Sequence, residues 1–191
     1  MKLIGLSGTN GSGKDTVGQI LAEHYNFLFV SMTDMLREEA RARNVDTTRE
    51  VLRTISAEWR RESGLGVLVD RSIAYYEKMG GDQKYTGLVI ASLRNPGEND
   101  RVHELGGEVV WIDADPKIRY ERLKSRMRAD DPQTYEEFLK NDESEMHRSG
   151  DETTLSMADV KEKADKIFLN EQNDIESLRR RIEDELMLAR G

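Results

Sequence analysis

Short apolar segments alternate with longer amphipathic stretches along the chain. Five segments are rich in β-branched or aromatic residues, and each has the length of a buried strand in a parallel sheet. Between these segments, apolar residues recur at helical spacing. Because predicted strands and helices alternate, the pattern predicts an α/β fold with a mostly parallel sheet. The predicted strands are Lys2–Leu6, Phe27–Val30, Gly87–Ala91, Glu108–Ile112 and Lys166–Leu169.

Several helices are predicted from a start signal that precedes an apolar stripe. Thr47 and Glu50 have the spacing of a capping box. Asp115–Pro116 is a second start signal, and Asp131–Pro132 repeats it. The stripes that these and other signals introduce are Val17, Ile20 and Leu21; Val51, Leu52, Ile55 and Trp59; Tyr120, Leu123 and Met127; Tyr135, Phe138 and Leu139; and Ile175, Leu178, Ile182 and Leu186.

The turn after the first predicted strand carries a phosphate-binding motif. Its glycines let successive backbone N–H groups converge on an anion, and the following helix adds its positive end. Lys14 is expected to reach the β- and γ-phosphates of a nucleotide. The strand–turn–helix context is the one that this motif requires. The predicted nucleotide-binding residues are Gly8, Asn10, Gly11, Ser12, Gly13, Lys14, Asp15 and Thr16.

The metal site of this motif is altered. The residue after the lysine is normally Ser or Thr, whose hydroxyl binds Mg²⁺, but here it is Asp15. Either the carboxylate itself is a ligand of the hard cation, or Asp15 only favours the helix end and Thr16 takes the metal role. After the third strand, Ser92 stands where many phosphate-loop enzymes have an aspartate. Asp15 and Asp34 are the candidate substitutes.

Two segments that follow strands are candidates for binding an acceptor. Ser31, Thr33, Asp34 and Arg37 combine hydroxyls, an acid and an arginine within about one helical turn. The alternative is a helix start capped by Thr33, with Arg37 in solvent. Arg94 follows the third strand and suits bidentate phosphate contact. Its alternative role is that of a loop arginine paired with Glu98 or Glu104.

A stripe of arginines follows the fourth strand. Arg119, Arg122 and Arg126 lie at helical spacing, and Arg128 follows. Phosphoryl transfer needs positive charge over the transferred group, which such arginines supply when a site closes. The alternative is a solvated face paired with acids such as Glu121 and Asp130. The polar stretch that follows, within residues 128–159, is predicted to be a lid.

The composition narrows the function classes. A length of 191 residues suits one domain. The net charge of −8 argues against binding of duplex nucleic acid. The lack of cysteine excludes disulfides and cysteine nucleophiles, and agrees with a cytoplasmic location. No apolar run has the length of a membrane span, and Gly5 and Gly8 interrupt the first apolar stretch, which argues against a signal peptide. No motif fixes the oligomeric state.

The chain resembles P-loop nucleotide kinases over nearly its whole length. Residues 5–8 and 12–16 resemble the bacteriophage deoxynucleoside monophosphate kinases, which also carry Asp after the lysine. Residues 126–138 are similar to a segment of archaeal adenylate-kinase-like proteins, and residues 33–37 to the acceptor segment of adenylate kinases. Further segments are similar to the phage kinases, and equally to dephospho-coenzyme A kinases and to the archaeal adenylate-kinase-like proteins. They are the Arg94 loop and residues 108–112, 164–170 and 175–178.

The resemblance implies a three-layer P-loop fold with sheet order 2-3-1-4-5, in one domain of residues 1–191 with an inserted helical lid. It implies phosphoryl transfer from ATP–Mg²⁺ to a small phosphorylated acceptor, a nucleoside monophosphate. The alternatives are a dephospho-coenzyme A kinase, in which Asp34 would orient a ribose hydroxyl, a non-catalytic nucleotide-binding regulator, and a simple NTPase. The residues implied as phosphate ligands are Lys14, Arg94, Arg122, Arg126 and Arg128, and those implied to face the acceptor are Ser31, Asp34 and Arg37.

Overall fold

A five-stranded parallel sheet forms the centre of the molecule, with the strand order β2-β3-β1-β4-β5. The computed structural model describes residues 1–126, 134–147, 150–171 and 174–186. The parallel sheet and its strand order confirm the predicted α/β class and the predicted order 2-3-1-4-5. Each of the first four strands runs one or two residues beyond its predicted end. The strands are β1 (Lys2–Ser7), β2 (Phe27–Ser31), β3 (Gly87–Leu93), β4 (Glu108–Asp113) and β5 (Lys166–Leu169).

Helices cover both faces of the sheet, which explains why its central strands are buried almost throughout. All seven residues of β3 are buried. Leu88 and Ile90 pack in a cluster with residues of α2 to α5, whereas Val89 and Ala91 pack with residues of α1 and α9. The helices are α1 (Lys14–Tyr25), α2 (Met32–Ala42), α3 (Arg49–Ser63), α4 (Val67–Lys78), α5 (Pro96–Glu104), α6 (Pro116–Arg126), α7 (Tyr135–Met146), α8 (Met157–Glu162) and α9 (Ile175–Glu185).

The start of α3 corrects one prediction. Thr48, not Thr47, caps α3, because its Oγ1 accepts a hydrogen bond from the backbone N–H of Val51. Thr134 caps α7, and the predicted start Asp131–Pro132 lies outside the described residues. The start of α6 at Pro116 is as predicted. Among the described helices, none is both long and apolar enough to cross a membrane.

Two residues of the predicted apolar stripes are exposed rather than buried. Leu139 on α7 and Ile175 on α9 are 41% and 52% exposed, whereas Phe138 and Leu178 beside them are buried. Ile175 lies in the first turn of α9 and lines a cavity beside the phosphate-binding turn. Ile175 therefore contributes apolar surface to the wall of this cavity and not to the hydrophobic core.

A bulge at the end of β3 shapes the edge of the sheet where the site lies. Leu6 pairs with Ala91, but the next residue, Ser7, pairs with Leu93, so Ser92 is left as an extra residue. Ser92 has a φ of +76°, which is uncommon for a residue with a side chain. The Ser7 hydroxyl donates a hydrogen bond of 2.7 Å to the Leu93 carbonyl and fixes the bulge.

Candidate functional site

The phosphate-binding turn, residues 8–13, is held in shape by close contacts behind it. Gly13 has a φ of +93°, and a Cβ there would lie 2.3 Å from Nδ2 of Asn170. A Cβ at Gly11 would lie 2.5 Å from the carbonyl oxygen of Arg119. Asn170 Nδ2 also donates a 2.8 Å hydrogen bond to the Ser12 carbonyl. Only glycine fits at these two positions, because the strand–turn–helix backbone passes this close to its neighbours.

Three buried polar atoms of the turn and of the helix after it indicate what the site can bind. The hydroxyls of Thr9 and Ser12 and Oδ1 of Asp15 are buried, and none has a hydrogen-bond partner among the residues that the structure describes. Burying such groups without a partner costs free energy. Phosphate oxygens would satisfy the hydroxyls, and a hard cation would satisfy the carboxylate. The donor set therefore fits a nucleotide phosphate chain with Mg²⁺.

Lys14 lies at the centre of the site and is almost fully buried. Burial lowers the pKa of its ammonium group below the ordinary value, whereas the charge of Asp15 opposes this shift. Arg94 and Arg126 lower the pKa further by like-charge repulsion. A bound anion would offset the cost of burying this charge and the repulsion from the arginines, so the surroundings of Lys14 favour a negatively charged ligand.

Two cavities meet at this lysine, and we name them after the roles that the sequence predicts for the residues lining them. The donor-side cavity lies between the phosphate-binding turn, α6 and the start of α9, and its walls include Gly11, Gly13, Thr16, Arg122, Asn170 and Ile175. The acceptor-side cavity lies between the turn, α2, α3 and the end of β3, and its walls include Asn10, Ser31, Thr33, Asp34, Arg37 and Arg94. Lys14, Asp15 and Arg126 line both cavities.

The predicted acceptor residues thus lie together, with one correction at the start of α2. Ser31, not Thr33, caps this helix, since its Oγ accepts from the backbone N–H of Asp34 at 3.3 Å. Thr33 lines the acceptor-side cavity without capping the helix. The Arg37 guanidinium donates a 2.8 Å hydrogen bond to Asp34, which is 63% exposed. The alternative of a solvated Arg37 is wrong, because its side chain is only 22% exposed.

The backbone at Arg94 is anchored by a buried acid. Glu98 accepts hydrogen bonds from the backbone N–H groups of Arg94, at 2.7 Å, and Asn95, at 3.1 Å. Its other oxygen forms a 2.7 Å ion pair with Arg60. The alternative in which Glu98 or Glu104 pairs with the Arg94 side chain is therefore not what the structure shows. The Arg94 guanidinium points into the acceptor-side cavity instead.

The side-chain partner of Arg94 is Glu145 of α7, a residue that the sequence analysis missed. Its Oε2 accepts from Arg94 at 2.9 Å and from Asn10 at 3.2 Å. Its Oε1 accepts from Arg53 at 2.8 Å and lies 3.7 Å from Arg49. Burial acts to raise the pKa of this carboxyl, but the arginines outweigh it and hold the pKa at about 2. Glu145 is therefore ionised at neutral pH.

The arginine helix α6 divides into structural and site residues. Arg119 is buried, pairs with both oxygens of Asp142 at 2.7 and 2.8 Å, and so ties α6 to α7. Arg122 lies beside the turn, 3.4 Å from the carbonyl of Gly11, and burial lowers the pKa of its guanidinium. Arg126 lines both cavities. Arg128 lies outside the described residues.

Gly8 of the turn and Ser92 of β3 are the remaining residues that the sequence analysis singled out. A Cβ at Gly8 would meet the Ile112 carbonyl of β4 at 2.2 Å, so this glycine lets the turn pass the neighbouring strand. Ser92 lines the acceptor-side cavity. Within the described residues there is no cluster of three or more acids or histidines that could hold a metal. Because Mg²⁺ takes many of its ligands from phosphates and water, one or two protein oxygens suffice.

Comparisons with known proteins agree with this architecture. A family model described as an AAA domain matches residues 4–151. The UPF0200 protein of Pyrococcus abyssi is 34% identical over 185 residues, covering 94% of this chain and 96% of that protein. The UPF0200 protein of Pyrobaculum aerophilum is 31% identical over 186 residues and covers 95% of each chain.

Solved kinase structures share the fold. Shikimate kinase from Bacteroides thetaiotaomicron superposes with a TM-score of 0.60 at 16% identity, over 98% of this chain and 99% of that chain. Shikimate kinase from Acinetobacter baumannii in complex with shikimate has a TM-score of 0.56 at 16% identity, over 98% of this chain and 93% of that chain. The fold is thus that of the P-loop kinases. The chain belongs to the AAA-domain family whose model it matches, and to the UPF0200 proteins.

Proposed function

We propose that this protein is a kinase that transfers the γ-phosphoryl group of ATP–Mg²⁺ to a small phosphorylated acceptor, a nucleoside monophosphate. The observation that carries the proposal is the pair of cavities that meet at Lys14, Asp15 and Arg126. Hydrolysis or simple nucleotide binding needs a cavity on one side of the phosphate-binding turn. Transfer between two molecules needs one on each side, so that donor and acceptor face each other across the transferred group.

In the proposed reaction, an oxygen of the acceptor phosphate bonds to the γ-phosphorus, and the bond from that phosphorus to the β,γ-bridging oxygen breaks to leave ADP. Lys14 and the backbone N–H groups of the turn hold the donor phosphates. Mg²⁺, when bound near Asp15 or Thr16, supplies positive charge to them. Arg122, Arg126 and Arg128 stabilise the charge on the transferred group. Phosphoryl transfer needs little from the protein beyond such stabilisation and the positioning of the two substrates.

The charges on the acceptor side favour a phosphate over an alcohol as the attacking group. An alcohol needs a base, whereas a monophosphate is already ionised. The one predicted base, Asp34, is held by Arg37 at 2.8 Å. Arg37 and Arg94 line the cavity and are matched to a phosphate monoester. This charge pattern supports the nucleoside monophosphate over dephospho-coenzyme A as the acceptor.

A product screen tests the proposal. The full chain is incubated with ATP or GTP, Mg²⁺ and one acceptor at a time, from the common nucleoside monophosphates and dephospho-coenzyme A, and products are read by mass. We expect a diphosphate product, which Lys14→Ala abolishes. Lys163→Ala is the matched control, because Lys163 pairs with Asp100 on the surface and lies in neither cavity wall.

Other outcomes of the screen reject the proposal in distinct ways. Hydrolysis that no acceptor changes would identify a simple NTPase. ATP binding by calorimetry without turnover or hydrolysis would identify a regulator. Turnover that is equal in the Lys14→Ala variant and in wild type would show that the phosphate-binding turn takes no part in the reaction. Coenzyme A, formed from dephospho-coenzyme A, as the main product would assign an alcohol acceptor, and Asp34→Asn should then abolish turnover.

A further inference from the structure

Glu145 lies in the wall of the acceptor-side cavity and not behind it. Its carboxylate is contacted from three directions, by Arg53 of α3, by Arg94 after β3, and by Asn10 of the phosphate-binding turn. Arg49 lies further along the same oxygen, at 3.7 Å. Both carboxylate oxygens are thus engaged, and the side chain is only 2% exposed. We call Arg49, Arg53 and Arg94 the arginine cluster.

The other acid–arginine pairs of this region differ in position. Glu98, paired with Arg60, is fully buried under the Arg94 loop and does not line the cavity. Asp142, paired with Arg119, joins α6 to α7 and likewise lies outside the cavity wall. These two acids therefore hold elements of the fold together. Glu145 instead brings its charge into the space where the proposed acceptor binds.

The cluster that holds Glu145 also suits a phosphate monoester. Planar guanidinium groups bind the oxygens of phosphates and carboxylates in the same way, by paired charge-assisted hydrogen bonds. A phosphate dianion carries twice the charge of a carboxylate and one more terminal oxygen. Three guanidinium groups that converge on one small anion can therefore hold the dianion more strongly than the carboxylate.

We propose that Glu145 is an internal competitor of the acceptor, which occupies the arginine cluster until a phosphate monoester displaces it. The inference rests on the proposed function, since it assigns the acceptor phosphate of that reaction to this cluster. It adds that Glu145 sets a threshold for acceptor binding. A cluster that is open for one-tenth of the time would weaken apparent affinity about tenfold. Ligands that lack a phosphate do not displace Glu145 from the cluster, so Glu145 also selects for ligands with a strong negative charge.

Calorimetry with inorganic phosphate tests the inference without requiring turnover. ADP is present throughout to occupy the phosphate-binding turn. We expect Glu145→Gln to bind phosphate about tenfold more tightly than wild type, because the amide keeps the shape of the side chain but loses its charge. Glu143→Gln is the matched control on the same helix, since Glu143 is 75% exposed and pairs with His147. Its phosphate affinity should equal that of wild type.

Glu145→Asp covers the case in which the Gln variant does not fold. It retains the charge, but its carboxylate is one methylene further from the cluster, so phosphate affinity should lie above that of wild type. Phosphate binding by either folded variant that is equal to or weaker than that of wild type would overturn the inference, because Glu145 would then organise the arginines rather than compete for them. The proposed function fails separately, when ATP and acceptors yield no product although the variants bind phosphate more tightly.

Discussion

The ion pair between Arg60 and Glu98 offers the sharpest test of the packing that supports the Arg94 loop. The two side chains are 3% and 0% exposed, and their N–O distance is 2.7 Å. Arg60 also donates a 2.9 Å hydrogen bond to the Thr153 carbonyl. Replacing Arg60 by Met keeps much of the side-chain volume but leaves the Glu98 carboxylate buried beside backbone N–H groups alone. The unfolding free energy that this variant loses therefore measures the cost of an unpaired buried charge.

The expected magnitude follows from the burial. Removing one partner of a buried ion pair costs about 3–5 kcal/mol of folding free energy. The adjacent Arg61 supplies the matched control, because its pair with Asp151 is 3.4 Å long and its side chain is 52% exposed. Exposed pairs contribute about 0–1 kcal/mol. We therefore expect Arg60→Met to lower the free energy of unfolding by several times as much as Arg61→Met.

Urea unfolding at neutral pH, followed by circular dichroism, gives both free energies of unfolding. Equal losses in the two variants would refute the reasoning, because the buried pair would then contribute no more than a surface pair. A further variant, Arg60→Lys, retains the positive charge but not the fork of the guanidinium. Its loss should lie between those of Arg60→Met and wild type, since Glu98 keeps a charged partner.

Two further predictions concern the turn and the acid of the arginine cluster. Gly13→Ala should abolish ATP binding in calorimetry, because its Cβ would lie 2.3 Å from Asn170, whereas Gly64→Ala has the same φ of +93° with nothing within 4 Å and should bind ATP as wild type does. The pKa of Glu145 is lowered to about 2 from 4.5, so its contribution to stability is complete above pH 4.5 and lost as the pH falls towards 2. Between pH 5 and 2, wild type should lose up to about 3 kcal/mol more unfolding free energy than Glu145→Gln, and parallel pH profiles would contradict this.

The sheet and the phosphate-binding turn could be predicted because their signals are local. Each strand is a short, mostly apolar segment that includes β-branched or aromatic residues, and the glycines of the turn stand at fixed offsets from Lys14. The helix starts were less certain, since hydroxyl residues adjoin at Thr47 and Thr48 and again near Ser31 and Thr33. Only the path of the backbone decides which hydroxyl reaches an N–H group.

Glu145 could not be assigned from its surroundings in the sequence. It lies in a run of acids and polar residues, and its partner Arg53 is 92 positions away. One signal was available: Glu145 lies seven residues after Phe138, so the two share a face of α7, and both are buried. An acid on the apolar face of a helix predicts a buried cation nearby. It does not identify that cation, because the tertiary fold alone brings α3 and α7 together.

The same limit applies to the arginines of α6. Arg119 and Arg122 are three residues apart on one face of α6, so the sequence pattern does not distinguish their roles. The structure separates them because Asp142 of α7 lies beside Arg119 and binds both arms of its guanidinium. The choice between a site residue and a structural residue therefore depended on an acid that comes from another helix.

The distribution of charge explains how a chain with a net charge of −8 can present a site for anions. Cations that converge on one cavity repel one another, so the fold needs acids among them before any ligand binds. Asp15 beside Lys14, Asp34 beside Arg37 and Glu145 within the arginine cluster meet this need. Each of these acids then opposes the binding of phosphate at the same cation. Acids that assemble the site therefore also set how strongly it binds its substrates, which is why neutralising one of them, at Glu145, is expected to tighten phosphate binding while it weakens the fold.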